Sequence, residues 1–161
     1  MKTSFPPVVD SRTRLLVLGS LPGDISLAKG QYYANPQNQF WRLMAEVTRR
    51  PLPAMAYEAR LQALNDAGVG LWDVIASAER TGSLDAAIRD HRPNELLELA
   101  SSLPELKAVG FNGGTSAKIG QAVLAGRGPW ELVPLPSSSP AFTRPFDQKR
   151  DAWMALKPFL S

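Results

Sequence analysis

Apolar residues in this chain fall into two kinds of run. Short continuous ones, closed by glycine or polar residues, read as strands buried on both faces. These are Leu15 to Leu18 ending at Gly19, Val69 to Ile75, Lys107 to Phe111 with Gly110 interrupting it, and Glu131 to Leu135. The runs between them have helical spacing. Phe40, Leu43, Met44 and Val47 form one stripe, and Tyr57, Leu61 and Leu64 a second that stops near Gly68. Pro93 to Ala100 opens on a proline suited to a first helical turn and carries Leu96, Leu97 and Leu99. Thr115 to Leu124 stops near Gly126, and Phe146 to Leu160 closes the chain with Trp153, Leu156 and Phe159 on one side. Strands separated by helices predict a three-layer α/β/α sandwich around a central four-stranded parallel sheet. Ligands of such sheets bind beyond the carboxyl ends of the strands. The loops to inspect are therefore Gly19–Gly23, Asp73 onward, Asn112–Thr115 and Pro136–Pro140.

Composition narrows the chemistry. At 161 residues and 17.5 kDa the chain suits a single domain over residues 1–161. No apolar run approaches the roughly 20 residues that span a bilayer. The N-terminus, Met1 to Arg14, has no apolar h-region of the kind a secretory signal carries behind its charges. A cytoplasmic setting and a monomer are the expectations. The absence of cysteine excludes disulfides, thiol catalysis, iron–sulfur clusters and cysteine-ligated zinc. It also excludes the zinc-dependent base deaminases. A single histidine, His91, excludes two-histidine metal sites, and its polar surroundings suit a surface position. No metal or cofactor is expected. The net charge of +3 and pI of about 9.4 permit a polyanionic partner without demanding one.

Several segments can carry chemistry. Gly19-Ser20-Leu21-Pro22-Gly23 directly follows a strand, either as a tight turn or as a loop whose backbone approaches a ligand. Gln31-Tyr32-Tyr33-Ala34-Asn35-Pro36-Gln37-Asn38-Gln39-Phe40-Trp41 concentrates aromatic and amide side chains. Loop tyrosines suit stacking on a nucleobase. Phe40 and Trp41 suit the core. Asn38 fits a helix cap as well as a group that holds a water or reads a base edge. Asp73, at the end of the second strand, caps the loop, accepts a ring N–H or serves as a base. Asn112 precedes two glycines, as turn residues often do. In Pro136-Ser137-Ser138-Ser139-Pro140-Ala141, small hydroxyls stand between stiffening prolines and can bond phosphate oxygens.

Taken in order, Gly19 to Gly23, Gln31 to Trp41 and Pro136 to Ala141 resemble the motifs of the uracil-DNA glycosylase superfamily. Within it the chain is similar to the hypoxanthine-DNA (deoxyinosine) glycosylase branch, and the resemblance covers nearly its whole length. Many superfamily members carry a water-activating Asp or Asn in the first motif, where this chain has Ser20 and Leu21. Many carry His or Asn just before the second-motif Pro-Ser, where this chain has Leu135. The hypoxanthine branch shares these departures.

The resemblance implies that Asn38 is the catalytic asparagine and Tyr33 the base-stacking aromatic. It places Asp73 at the base-reading position and Asn112 as a further pocket asparagine. Pro136, Ser137, Ser138, Ser139 and Pro140 become the loop that contacts DNA beside the lesion. Gly19, Ser20, Leu21, Pro22 and Gly23 border the base, with N–H groups near Leu21 or Gly23 facing the charge that develops on it. The implied reaction is removal of a deaminated base flipped out of DNA. No lysine or cysteine stands in these motifs, which favours water as nucleophile and a monofunctional enzyme that leaves an abasic site. Arg42, Arg144 and Lys149 lie near the motifs and can touch phosphates. Hypoxanthine is the expected base. A uracil- or mismatch-specific enzyme of the same superfamily, a non-catalytic lesion binder and a free-nucleoside hydrolase are the alternatives.

Overall fold

A computed structural model describes residues 1–161. In chain order the strands are β1 (Lys2–Thr3), β2 (Leu15–Gly19), β3 (Val69–Asp73), β4 (Ile75–Glu79), β5 (Arg89–Pro93), β6 (Ala108–Asn112) and β7 (Glu131–Leu135). The helices are α1 (Asp24–Lys29), α2 (Phe40–Thr48), α3 (Tyr57–Asp66), α4 (Leu96–Ser102), α5 (Gly114–Leu124) and α6 (Phe146–Trp153). The four apolar runs form one parallel sheet in the order β3-β2-β6-β7.

Successive residues of a strand point to opposite faces, and both faces are covered. Leu15 and Val17 pack with Phe40, Leu43, Met44, Leu64 and Trp153 from α2, α3 and α6. Leu16 and Leu18 pack with Leu96 and Ala100 of α4 and Ala117 and Leu124 of α5. This is the expected three-layer arrangement, and it explains why β2 is buried along its whole length.

Four details differ from the expectations. The run Val69 to Ile75 is not one strand: β3 ends at Asp73, and Ile75 opens β4 in a second sheet of order β1-β4-β5. At that corner the Val74 N–H donates to Gly19 O and the Ile75 N–H to Ser20 O, which pins the first loop to the strand end. Pro93 does not start a helix. It ends β5, because Ile75 pairs with it, and α4 begins at Leu96. The closing segment is α6 followed by a 3₁₀ stretch, Met154–Leu160, which contains Pro158. A proline lacks the N–H that a continuing α-helix needs. Gly110 does not interrupt β6. A Cβ there would meet Leu135 Cδ1 at 3.2 Å and Leu156 Cδ2 at 3.3 Å, so the glycine lets the closing segment pack onto the sheet.

The β4–β5 hairpin has no counterpart in the hydrophobic pattern. β5 is exposed throughout, and its Arg89-Asp90-His91-Arg92 run is the charged dress of an edge strand. His91 accordingly lies on the surface.

Candidate active site

Register puts the strand ends on one rim. Gly19 pairs with Asp73, and Asn112 with Leu135. A cleft of about 460 Å³ opens above them, within the range of roughly 300–1,000 Å³ usual for ligand sites. Gly19 to Gly23, Tyr33, Asn38, Asp73, Asn112 and residues 137–140 all line it. Pro136 does not. Its carbonyl instead accepts a 2.9 Å hydrogen bond from Trp153 Nε1 and anchors the loop to the core.

Asp73 sits at the foot of the cleft, 3% exposed, and its Oδ2 is buried without a hydrogen-bond partner. Burial, and secondarily the Asp85 carboxylate, pushes its pKa up to about 7, while Arg80 pulls the other way. Gly19 makes this placement possible. A Cβ on Gly19 would lie 2.5 Å from Asp73 Oδ1 and 2.9 Å from the Tyr33 hydroxyl, so no larger residue fits. Tyr33 stands beside the carboxylate. Phe40 stacks on its ring at 3.9 Å and 11°, and Trp41 donates from Nε1 to its carbonyl at 3.1 Å. Its φ of +54° is unusual for a tyrosine and marks strain held by this packing. Burial and the charge of Asp73 raise the Tyr33 hydroxyl above its ordinary pKa, so it is a neutral phenol.

A chain of hydrogen bonds joins three loops. Asn112 Nδ2 donates to Tyr33 Oη at 3.3 Å and to Ser138 Oγ at 2.8 Å. Ser138 N–H donates back to Asn112 Oδ1 at 2.9 Å, and Ser138 Oγ donates to Asn38 Oδ1 at 2.8 Å. Asn38 Oδ1 also accepts from the Phe40 N–H at 3.0 Å, while Gln39 N–H donates to Ser138 O at 3.0 Å. An amide N–H can point only at an oxygen, so the Phe40 contact fixes the orientation of the Asn38 amide. Asn38 therefore turns its donor nitrogen, not its oxygen, away from the loops. Asn38 thus accepts the first helical N–H from one residue ahead of the N-cap, Gln39, and at the same time lines the cleft.

Ser138, only 1% exposed, is the hinge of this network. Ser138→Ala orphans one of the two Asn112 Nδ2 hydrogens and one lone pair of Asn38, so unfolding free energy is expected to fall by about 1–3 kcal/mol. Urea denaturation measures it, and a loss below about 0.5 kcal/mol would contradict a network that holds the loops together.

The outer wall comes from the loop between β4 and β5, which sequence reasoning did not connect to the site. The buried Arg80 donates to the carbonyls of Leu21 at 3.4 Å, Pro22 at 2.5 Å and Gly82 at 2.8 Å, clamping the first loop. Burial lowers its pKa, and the nearby carboxylates of Asp24, Asp85 and Asp73 oppose that. Asp85 borders the cleft and accepts a 2.6 Å hydrogen bond from Ser20 Oγ. Burial raises its pKa, while Ser20 and Arg80 act to lower it. The only sequence signal for this wall is a small-residue stretch, Thr81-Gly82-Ser83, ahead of an acid.

At the mouth, Phe142 lines the cleft with 39% of its surface exposed, flanked by Arg144 at 5.1 Å and Lys149 at 5.4 Å from its ring. Lys149 is only 1% exposed and donates to Ser139 O at 3.2 Å, so it braces the serine loop instead of standing free on the surface. Arg42 is exposed and lies 4.0 Å over the Phe146 ring.

Comparison with known proteins agrees with this arrangement. The model of the uracil DNA glycosylase superfamily matches residues 6–157. A Methanosarcina barkeri (strain Fusaro / DSM 804) protein named hypoxanthine DNA glycosylase is 41% identical over 152 residues, 94% of this chain and 95% of that one. A protein of the same name from Methanosarcina acetivorans is 40% identical over 156 residues, 97% of this chain and 98% of its own. The solution NMR structure of a candidate uracil DNA glycosylase from Methanosarcina acetivorans matches with a TM-score of 0.87. It is 40% identical and covers 99% of this chain and 98% of that one.

Proposed function

Because the chain belongs to the uracil DNA glycosylase superfamily, we propose that it removes hypoxanthine from DNA as a monofunctional hydrolase. That it is a DNA glycosylase of deaminated bases follows from its family and from relatives matched over nearly their full length. The choice of base and the roles of individual residues are the proposal.

One observation carries the reading: an unpartnered carboxylate, Asp73, at the foot of a cleft beside a pinned tyrosine ring. Such a group calls for a ligand that brings its own N–H donor, since a buried unsatisfied acceptor is costly. Hypoxanthine offers N1–H beside a carbonyl. Adenine presents a lone pair at the same edge, which an ionised carboxylate repels. The base leaves the stack at a cost of a few kcal/mol, less for a lesion that pairs poorly. Tyr33, backed by Phe40, is the surface on which it stacks. Asn112 keeps the tyrosine hydroxyl in place. The base enters foot-first, so the sugar remains nearer the mouth, where Asn38 holds a water against its anomeric carbon. An amide is a poor base, so its contribution is orientation.

The serine loop and the exposed Phe142 with Arg144 and Arg42 form the face toward the DNA backbone. A net charge of +3 suits that contact, and cleavage should slow as salt rises. The names of the Methanosarcina barkeri and Methanosarcina acetivorans relatives support hypoxanthine, while the 40% identical solved structure is named for uracil.

The test is a panel of duplexes carrying one deoxyinosine, deoxyuridine or mismatched thymidine, treated with enzyme and then with hot alkali. Fastest cleavage at deoxyinosine is expected. Fastest cleavage at deoxyuridine would keep the reaction and overturn the base. Tight binding with no cleavage at any lesion would favour a non-catalytic binder.

A further inference from the structure

Asn38 alone leaves the attacking water incomplete. Its Oδ1 already accepts hydrogen bonds from Phe40 N–H and Ser138 Oγ, so what it offers a water is the donor Nδ2. A water held by a donor still needs an acceptor for the proton it loses when its oxygen bonds to carbon. The cleft is lined by three carboxylates. Asp73 lies at its foot, where the base edge is read. Asp24 is exposed and paired with Lys2 at 2.6 Å. Asp85 lies on the wall, with one oxygen held by Ser20 Oγ at 2.6 Å.

From this geometry we infer that Asp85 is a second catalytic residue, the carboxylate that accepts the proton of the water that Asn38 orients. The inference rests on the glycosylase reading. Ser20 occupies a first-motif position where the expected Asp or Asn is missing, and its hydroxyl imports a carboxylate from the neighbouring hairpin to the same place. Arg80 ties that hairpin to the first loop through the carbonyls of Leu21 and Pro22, so the position of Asp85 is set by the fold.

The step balances without a cofactor. The water oxygen forms a bond to the anomeric carbon as the bond from that carbon to the base nitrogen breaks, its electron pair leaving with the base. One water proton passes to Asp85, which returns it to solvent, and solvent protonates the departing base. Before transfer, the ionised Asp85 also faces the positive charge that develops on the sugar.

The experiment measures single-turnover cleavage of a deoxyinosine duplex by wild type, Asp85→Asn and Asp85→Ala, with lesion binding and thermal melting measured on each. Asp85→Asn is expected to cut about 10²–10³-fold more slowly, with binding affinity within about threefold of wild type. Added formate is expected to restore part of the rate of Asp85→Ala, since Ser20 remains to hold it, and to leave Asp85→Asn unchanged. A purely structural carboxylate would not respond to formate. An Asp85→Asn enzyme within threefold of wild type, or an Asp85→Ala enzyme that is folded and slow but gains nothing from formate, would overturn the assignment. If wild type itself releases no base from deoxyinosine or deoxyuridine, the glycosylase reading fails, which is a different result.

Discussion

Asn38→Ala is expected to cut deoxyinosine DNA about 10²–10³-fold more slowly than wild type while binding it with similar affinity. Removing one preorganised donor from an active site typically costs that much. The substitution deletes the Nδ2 donor to which the proposed mechanism assigns the attacking water, and it leaves the side chains of Tyr33, Asp73 and Asn112 unchanged. It also removes the acceptor for Ser138 Oγ and Phe40 N–H, so a stability loss of about 1–2 kcal/mol should accompany it. The two effects separate experimentally. Single-turnover rates at saturating enzyme report the chemical step, and urea unfolding reports the cap. A variant that cuts within threefold of wild type would remove Asn38 from the mechanism, whatever its stability.

Asp73→Asn is expected to trade activity for stability. Burial pushes the Asp73 carboxyl up to about 7 in the folded protein, from an ordinary 3.8. The folded state therefore binds more protons than the unfolded chain between those values. Its stabilising contribution is full below about pH 4 and is lost as pH rises through about 7. At 1.36 kcal/mol per pKa unit, the charged group costs about 4 kcal/mol at pH 8. An amide escapes that cost but brings two N–H groups into a pocket with few acceptors, so a net gain of about 1–3 kcal/mol is expected at pH 8. Asp73→Asn should also flatten the pH dependence of stability between about 4 and 7. Activity runs the opposite way. In the proposed pose the ionised form accepts N1–H, so wild-type cleavage at deoxyinosine should climb as pH rises through about 7, and the variant should lose that climb. Thermal melts and single-turnover rates across pH check both. A variant less stable than wild type at pH 8 would show that the carboxyl is not buried at such cost.

The parallel sheet was legible because its strands are buried on both faces, which leaves unbroken apolar runs such as Leu15 to Leu18. The hairpin of β4 and β5 was not. Its outer strand, Arg89 to Pro93, is wholly exposed, and its inner strand is continuous in sequence with the apolar run of β3, so only the corner at Val74 separates them. The same hairpin carries Arg80 and Asp85, which is why the outer part of the cleft wall left so little signal in the sequence. Asn38, Tyr33 and Asp73 were readable because each stands in a motif or at a strand end. The hydrogen bonds that set the orientation of Asn38 were not, because Ser138 arrives from the far end of the chain, 100 residues on. The split of the closing segment was foreseeable in principle from Pro158, yet its apolar side masked the change of helix type.

The most direct measurement is detection of free base after incubating the wild-type protein with a deoxyinosine duplex. The strand is examined both before and after alkali. The account predicts free hypoxanthine in amounts equal to the alkali-labile sites, with the strand intact until alkali is added. A duplex that remains unchanged while bound, or a strand cut by the protein itself without alkali, would contradict it.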